Sequence, residues 1–397
     1  MSLNAGHERV DRLNLRAFIF TVISNGTTAY VNLLITVIIG RAEGVRELGL
    51  FGIGFAVLGL TQLVSREVGL NAAWASSSPE DELPRSFTRV LVTAAVAAVG
   101  LSIGGWIVGS VTLGLTGAAV FFFAIYDFVR LWEISRGRRF ASFSSDLLLA
   151  AGISLVGGLV LLEMVPSEGM ILAWALLLAV LPLWRLSRWQ RRIDIAGIRD
   201  GNGWSFGPQA LVGAGSAHIA TMLLGSFVSP VIVGQIRAAA SLFGLVNILT
   251  STLQSLAIQS LASAQNRSRT LRRWAVLTSA GQGAVIAAVG AATVFAGPLL
   301  FGSSWGNESA KLVWWIALDA LAVAVAITAI AAHKVDRAAV SATRVAVFGG
   351  IARVSLVPIA GLLWGANAVV ASLAFIAIVS ATLWWASYRR YMRSRGK

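Results

Sequence analysis

The chain has 397 residues, of which 56% are hydrophobic and 13% charged, and its mean hydropathy is +0.76. Soluble globular domains carry about 25% charged residues, so this composition indicates an integral membrane protein. The sequence contains no cysteine and three histidines, which excludes disulfide scaffolds, iron–sulfur clusters and thiolate zinc sites and argues against an imidazole metal centre.

Twelve apolar stretches of about 20 residues, the length that crosses a bilayer as a helix, are separated by charged residues or turn signals. They predict transmembrane helices at 17–40, 48–65, 88–109, 111–130, 143–163, 169–186, 209–229, 235–262, 274–297, 310–332, 341–363 and 366–387. The predicted fold class is therefore an all-α integral membrane protein with twelve transmembrane helices.

The positions of the 32 lysines and arginines test this number of helices, because cytoplasmic loops are enriched in them. Most fall at the two termini and in the even-numbered loops, whereas the odd-numbered loops hold only Arg41, Arg46 and Lys311. Both termini are thus predicted to be cytoplasmic, in a multi-pass protein of the bacterial inner membrane. Anionic headgroups then explain the net charge of +14, so membrane lipids are expected partners and nucleic acid is not.

The longest cytoplasmic connection divides the chain into two halves of six helices. The predicted units are an N-lobe at 1–186, a cytoplasmic linker at 187–208 and a C-lobe at 209–397. The linker contains Arg188, Trp189, Arg191, Arg192 and Ile193, which are expected to lie on the inner leaflet as a short amphipathic helix.

The two halves also show weak internal similarity. The run from Gly49 through Gly59 to Gln62 parallels the run from Gly234 through Gly244 to Asn247. Because each half has six spans and begins inside, the repeats are parallel and are related by a pseudo-twofold axis along the membrane normal. A cleft between the two lobes is the expected functional site.

Segments at helix ends resemble a known family. The second helix opens with Glu47–Gly52 after a first helix ending in Gly40 and Arg41, the eighth opens with Val233–Ala240, and the ninth closes with Pro298–Gly302. These segments resemble polysaccharide flippases of the multidrug/oligosaccharidyl-lipid/polysaccharide (MOP) exporter superfamily.

The resemblance implies two six-helix bundles that form a V and open alternately to either side. It also implies an activity, in which an oligosaccharide linked to a polyprenyl phosphate or pyrophosphate moves from the inner to the outer leaflet for cell-surface polysaccharide synthesis. Relatives that act on the peptidoglycan precursor typically have fourteen helices, so twelve predicted helices favour the polysaccharide branch.

Ionisable side chains within the spans are costly, about 2.5–3.5 kcal/mol each on insertion scales, so each is a functional candidate. The candidates for binding substrate in the cavity are Arg353, Arg237, Arg344, His218, Asn25, Arg41 and Arg66. The candidates for gating or coupling are Asp146, Arg344, Asp319, His218 and Asp127. Further polar residues that either line the cleft or bond between helices are Asn32, Gln62, Asn247, Gln254 and Gln259.

Arginine suits a phosphate site because its guanidinium offers a planar fork of donors and stays charged. Arg353 is expected either to hold phosphate or to form a buried pair with Asp319. Arg237 is expected either to line the cavity or to extend into the headgroups.

Two pairings would serve gating and coupling. Asp146 and Arg344 occupy equivalent positions in the repeats with opposite charge. If both face the axis, they would form an inner gate that closes when the protein faces outward and breaks when it opens inward; otherwise each extends to the inner interface separately. His218 beside Asp319 would couple transport to protons, or it is a hydrogen-bonded packing residue. No cofactor or metal is expected, apart from possible coupling to H⁺ or Na⁺.

Three alternatives remain open. A cation-coupled multidrug exporter of the same superfamily would need acidic groups, and span 17–40 has none. A non-transporting scaffold would recruit glycan-assembly enzymes through its basic cytoplasmic surface. A membrane enzyme ranks last because the outer loops are too short for an active site; no catalytic residue is predicted.

Overall fold

The structure is a computed structural model that describes residues 26–75, 78–186, 215–262, 264–336 and 338–395, together with residues 23, 194, 204 and 211. All regular structure in these residues is helical. Eight of the described helices are long and apolar enough to cross a membrane, and three shorter apolar helices accompany them. The chain is therefore a multi-pass membrane protein.

In the described residues, six apolar helices belong to the first half and six to the second, and a short helical turn, Ala72–Ala75, follows the second of them. The first six are α1 (Gly26–Ala42), α2 (Gly44–Asn71), α3 (Pro79–Val108), α4 (Val111–Ser135), α5 (Arg139–Leu161) and α6 (Glu168–Leu186). The next four are α7 (Gly215–Val228), α8 (Pro230–Ala262), α9 (Arg267–Phe301) and α10 (Asn307–Val335). A last helical stretch, Ala339–Arg395, is interrupted at Gly365 (φ 77°), which separates α11 (339–364) from α12 (366–395).

The prediction of an all-α protein with twelve membrane segments is confirmed. Some boundaries differ where charged turns continue a helix beyond its apolar segment. The helix α3 begins at Pro79 rather than at 88, with acidic residues in its first turn, and α9 begins at Arg267 rather than at 274, with a basic first turn and no buried residue. Residues 17–25 of the first predicted span lie outside the described residues, apart from Ile23. Most of linker 187–208 lies outside them too, so the lobe boundaries and the amphipathic linker helix stay predictions.

Capping residues explain why several helices begin where they do. The Ser110 hydroxyl accepts a hydrogen bond from the Leu113 amide at the start of α4, and the Ser229 hydroxyl accepts one from Val231 at the start of α8. Pro230 occupies the first turn of α8, where its missing N–H has no partner to lose. These capping residues fix where the preceding loops end and where α4 and α8 begin.

Short irregular turns occur in four of the described helices, at the ends of α2 and α7 and within α8 and α9. π-helical turns occur at Arg66–Asn71 in α2, Leu224–Val228 in α7 and Leu277–Gly281 in α9, and a 3₁₀ turn occurs at Ser241–Phe243 in α8. Such turns break the regular ladder of backbone hydrogen bonds and are frequent at functional sites. Those in α2, α7 and α8 include or adjoin residues that line the cavity described below.

The two ends of the molecule differ in charge. One end, here called the Glu43 end, contains the loops between α1 and α2 and between α3 and α4. The Ser110 hydroxyl in the second of these loops donates a 2.7 Å hydrogen bond to Glu47 in the first turn of α2. The opposite end, here called the basic end, contains the arginine-rich loops. One of its ion pairs joins Arg267 to Asp336 at 2.6 Å.

The two halves cross closely near the Glu43 end, where α2 packs on α8 through glycine. A Cβ atom on Gly49 would lie 2.5 Å from the carbonyl carbon of Pro230, and one on Gly234 would lie 3.1 Å from the carbonyl carbon of Val45 and overlap its oxygen. Each glycine thus meets the residue four positions before the other glycine. The crossing is reciprocal, as expected for the two related halves that the sequence indicates, and it closes this end.

Candidate functional site

A cavity of about 700 Å³ lies between the two halves, away from the glycine crossing. Its described lining comes from α1, α2 and α4 of the first half and from α7, α8, α10, α11 and α12 of the second half. It extends from Thr36 and Arg237, beneath the crossing, to Arg66 and Arg130 near the ends of α2 and α4. The cavity therefore runs from the closed Glu43 end toward the basic end.

Arg237 on α8 reaches across the cavity to the other half. Its Nη2 donates a 3.1 Å hydrogen bond to the Thr36 hydroxyl on α1, and its guanidinium lies 3.9 Å from the ring centroid of Phe55 and 4.9 Å from that of Phe51 on α2. Aromatic faces attract a cation at such distances. The buried Nε of Arg237 has no hydrogen-bond acceptor among the described residues, so the cation is held while one donor stays unused.

Arg353 on α11 and Asp319 on α10 line the same cavity. The two interact electrostatically, but no ion pair or hydrogen bond forms between them among the described residues. The buried Nε of Arg353 also lacks an acceptor in the described part of the chain. Leaving a buried donor unpaired costs about 1–3 kcal/mol, and an anion or a water molecule in the cavity would remove that penalty.

A neutralised charge cluster lies at the basic end of the cavity in the first half. Arg66 donates two hydrogen bonds to the Asp127 carboxylate, from Nε at 2.7 Å and from Nη2 at 2.9 Å. Arg130 lies 3.6 Å from Asp127 and 3.2 Å from Asp146, and the Tyr126 hydroxyl also donates to Asp146. Two arginines thus face two carboxylates here, and this cluster adds little net charge.

The balance of charge in the cavity is positive. The described lining contains four arginines, Arg66, Arg130, Arg237 and Arg353, and one carboxylate, Asp319. With Arg66 and Arg130 neutralised by the carboxylates behind them, Arg237 and Arg353 oppose Asp319 alone. Polar side chains of Asn32, Gln62 and Asn247 also lie in the lining. The arrangement suits an anionic group attached to a polar molecule.

Some candidates from the sequence lie elsewhere. Arg41 is exposed and donates a 2.9 Å hydrogen bond to the Leu299 carbonyl at the Glu43 end. His218 packs against Gly59, where a Cβ atom would lie 2.7 Å from its Nε2, and it is absent from the described cavity lining. Asn25 lies outside the described residues.

The two predicted pairings are not formed in this conformation. Asp146 is buried against Arg130 of the same half, whereas Arg344 is exposed and makes no ion pair among the described residues. No electrostatic interaction links His218 to Asp319; Arg353 is the charge near Asp319. An inner gate of Asp146 and Arg344 would be broken in a conformation whose cavity extends to the basic end, so the gate stays a prediction.

Sequence reasoning missed two parts of the site. The sequence singles out Asp127 but not Arg130, although Arg130 follows three residues later and this spacing brings side chains together on a helix. Nothing in the sequence indicates that the rings of Phe51 and Phe55 lie against Arg237, since phenylalanine is common in membrane helices. Only the packing of α2 on α8 brings these rings beneath Arg237.

Comparisons with known proteins identify the fold. No protein-family model matches the chain, and no curated protein matches it in sequence. The lipid II flippase MurJ in an inward closed conformation is similar, with a TM-score of 0.69, 11% identity and coverage of 94% of this chain and 87% of that chain. An inward-facing multidrug resistance MATE family transporter of the MOP superfamily has a TM-score of 0.64 and 11% identity, covering 95% of this chain and 98% of its own.

A third similar structure is a MOP superfamily transporter from Pyrococcus furiosus, described by a binding pocket of reverse polarity that suggests a different function. It has a TM-score of 0.56, 11% identity and coverage of 95% of this chain and 96% of its own. At these identities the likeness concerns the fold. The chain therefore has the fold of MOP superfamily transporters, and the sequence resemblance to that superfamily is confirmed at this level.

Proposed function

We propose that the chain is an alternating-access flippase that moves an oligosaccharide linked to a polyprenyl phosphate or pyrophosphate from the leaflet at the basic end to the opposite leaflet. The observation that carries this proposal is the positive cavity between the halves. Arg237 and Arg353 each present a buried, unused donor there. Phosphate oxygens match a guanidinium fork in geometry and in charge.

The cavity would also lower the free-energy barrier to moving sugar hydroxyl groups across the bilayer. Transfer of an unpaired hydroxyl into hydrocarbon costs roughly 4–8 kcal/mol. A cavity of about 700 Å³ with Asn32, Gln62 and Asn247 in its lining offers partners for hydroxyl groups. The polyprenyl tail stays in the membrane while the headgroup crosses between the halves.

The direction of transport follows from the predicted orientation. With the basic end in the cytoplasm, as the distribution of arginine and lysine predicts, the glycine crossing closes the outer side and the cavity extends toward the inner side. An inside-negative potential favours outward movement of an anion by about 2.3 kcal/mol per charge per 100 mV. This conformation then corresponds to the loading state of the cycle.

A cation-coupled multidrug exporter is the second candidate, because MATE transporters share the fold. Binding of organic cations calls for acidic groups, and Asp319 is the single carboxylate among the described lining residues. Asp127 and Asp146 are both engaged by arginines. The charge of the cavity therefore favours an anionic substrate.

The test compares lipid binding and flipping by matched variants in proteoliposomes. A fluorescent polyprenyl pyrophosphate disaccharide is the anionic probe, the corresponding polyprenol is the neutral one, and ethidium is the cationic one. Arg237→Gln and Arg353→Gln should each weaken pyrophosphate binding about tenfold or more, the factor expected for a hydrogen bond to a charged group. Arg272→Gln, at an exposed position on α9, removes the same charge outside the cavity and should leave binding unchanged.

Tighter binding of ethidium than of the pyrophosphate would favour the drug exporter. Equal binding of polyprenol and polyprenyl pyrophosphate would overturn phosphate recognition. Absence of flipping by the unaltered chain, together with loss of glycan assembly when the linker's Arg191 and Arg192 are replaced, would favour the scaffold. Mass spectrometry of lipids that accumulate on depletion then identifies the glycan.

A further inference from the structure

A second concavity lies on the outside of the second half. It has a volume of about 490 Å³ and is lined by α10 and α12. The lining consists of Leu318, Leu321, Ala322, Val325, Ile378, Ala381, Thr382, Trp385, Ala386 and Arg389. Ile378, Thr382 and Arg389 are exposed, so this α10–α12 groove faces the surroundings of the bundle rather than the transport cavity.

The length of the groove matches one leaflet. On α12 it runs from Ile378 to Arg389, which at 1.5 Å per residue is about 16 Å. The hydrocarbon core of a bilayer is about 30 Å thick, so one leaflet contributes about half of that. A single acyl chain of the basic-end leaflet fits this span.

The walls of the groove offer little hydrogen-bonding capacity. The Trp385 indole N–H is already used in a 2.9 Å hydrogen bond to the Val325 carbonyl on α10, and the Thr382 hydroxyl donates to the Ile378 carbonyl 3.0 Å away. Most other lining residues are aliphatic. An occupant inside the groove must therefore be apolar.

The end of the groove is cationic. Arg389 belongs to the lining, and the neighbouring exposed residues Arg390 and Lys334 add positive charge at the same end, where the rings of Tyr388 and His333 lie 5.4 Å apart. Asp336 is occupied by Arg267 and by the Tyr388 hydroxyl. The charge at the mouth thus complements an anionic headgroup.

We propose that the α10–α12 groove binds an anionic phospholipid of the basic-end leaflet, with one acyl chain between α10 and α12 and the phosphate at Arg389. Basic residues at the cytoplasmic end of an intramembrane groove are a known way to hold such headgroups. The site does not depend on the proposed transport activity. Its lining shares no residue with that of the transport cavity, which includes Asp319 of α10.

The test is native mass spectrometry of the purified full chain with phosphatidylglycerol and phosphatidylcholine of identical acyl chains. The unaltered chain should retain phosphatidylglycerol preferentially. Arg389→Gln should lower that retention about fivefold, which corresponds to about 1 kcal/mol for one arginine beside an anionic headgroup. Arg389→Lys should keep most of the binding, and Arg393→Gln, which removes an exposed charge one turn further along α12, should have no effect.

Thr382→Trp fills the groove and should abolish retention of the bound lipid. Phe375→Trp places the same side chain on an exposed position of α12 outside the groove, and it should retain lipid normally. Equal losses in Arg389→Gln and Arg393→Gln, or equal retention of the two lipids, would show a diffuse surface charge and overturn the site. Normal retention by Thr382→Trp would show that the acyl chain does not lie between α10 and α12.

Discussion

The reciprocal glycine crossing predicts that one methyl group will open the closed end. Gly49→Ala and Gly234→Ala each place a Cβ atom against the backbone of the partner helix. Neither backbone carbonyl at the crossing can turn aside without breaking its own helix, so α2 and α8 must move apart. The change acts at the Glu43 end and replaces none of the arginines of the cavity.

The size of the effect follows from the distances. A Cβ atom on Gly49 would lie 2.5 Å from the carbonyl carbon of Pro230, whereas carbon atoms in contact lie about 3.5–4.0 Å apart. The carbonyl oxygen of Pro230 lies nearer still, so the helices must separate by at least about 1 Å. Overpacking of this kind costs about 1–3 kcal/mol. Because the penalty applies only while this end is closed, the population of the state open at this end should rise about tenfold.

Thiol labelling measures that population directly. The chain has no cysteine, so a single cysteine introduced at Asn32, in the cavity lining, reacts without background. A membrane-impermeant maleimide applied from the Glu43 side should label Asn32→Cys about tenfold faster in the Gly49→Ala and Gly234→Ala backgrounds. The double variant should show less than the product of the two effects, since one separation relieves both contacts.

The matched control is Gly158→Ala on α5, where an added Cβ atom meets nothing within 4 Å. Its labelling rate should equal that of the unaltered background. If Gly234→Ala also left the rate unchanged, then the crossing would not hold this end closed. A uniform rise from both sides of the membrane would instead indicate general loosening of the fold.

Two further predictions concern stability, measured by thermal unfolding in detergent. Asp127→Asn leaves Arg66 and Arg130 facing a neutral amide. Because the Arg66 side chain is 38% exposed, the loss should fall below the roughly 3–5 kcal/mol of a fully buried pair. Arg66→Gln combined with Asp127→Asn should recover part of the loss, and additive losses would contradict the pairing. Gly365→Ala forces a side chain into positive φ (77°) and should destabilise the chain by about 1–2 kcal/mol, whereas Gly114→Ala, in open space on α4, should not.

The fold could be predicted from the sequence because the membrane imposes strong constraints. Apolar stretches of fixed length and arginines confined to alternate loops define the number and direction of the helices without any knowledge of packing. The helix ends were less predictable where basic turns continue a helix into the headgroup region, as at Arg267. Hydropathy there reports where the apolar segment stops, and the helix itself continues.

The site could be predicted in composition but not in pairing. Arg237, Arg353 and Arg66 stood out because a guanidinium in an apolar run is costly, and all three line the cavity. The gate between Asp146 and Arg344 stays a prediction, because it would be broken in a conformation whose cavity extends to the basic end. The contact of Asp146 with Arg130 was not predicted, since repeat positions do not reveal which face of a helix turns toward the axis.

The 3₁₀ turn at Ser241–Phe243 provides a hinge in α8, in the wall of the cavity. The segment before it, Pro230–Ala240, carries Gly234 and Arg237, while Asn247 and Ser251 follow it. The segment Pro230–Ala240 is 11 residues long, about 16 Å at 1.5 Å per residue. A tilt of about 10° at the hinge would therefore displace its Pro230 end by about 3 Å. Such a tilt would separate Gly234 from α2 and move Arg237 away from Phe51 and Phe55 at the same time, while the part of α8 after the turn kept its position.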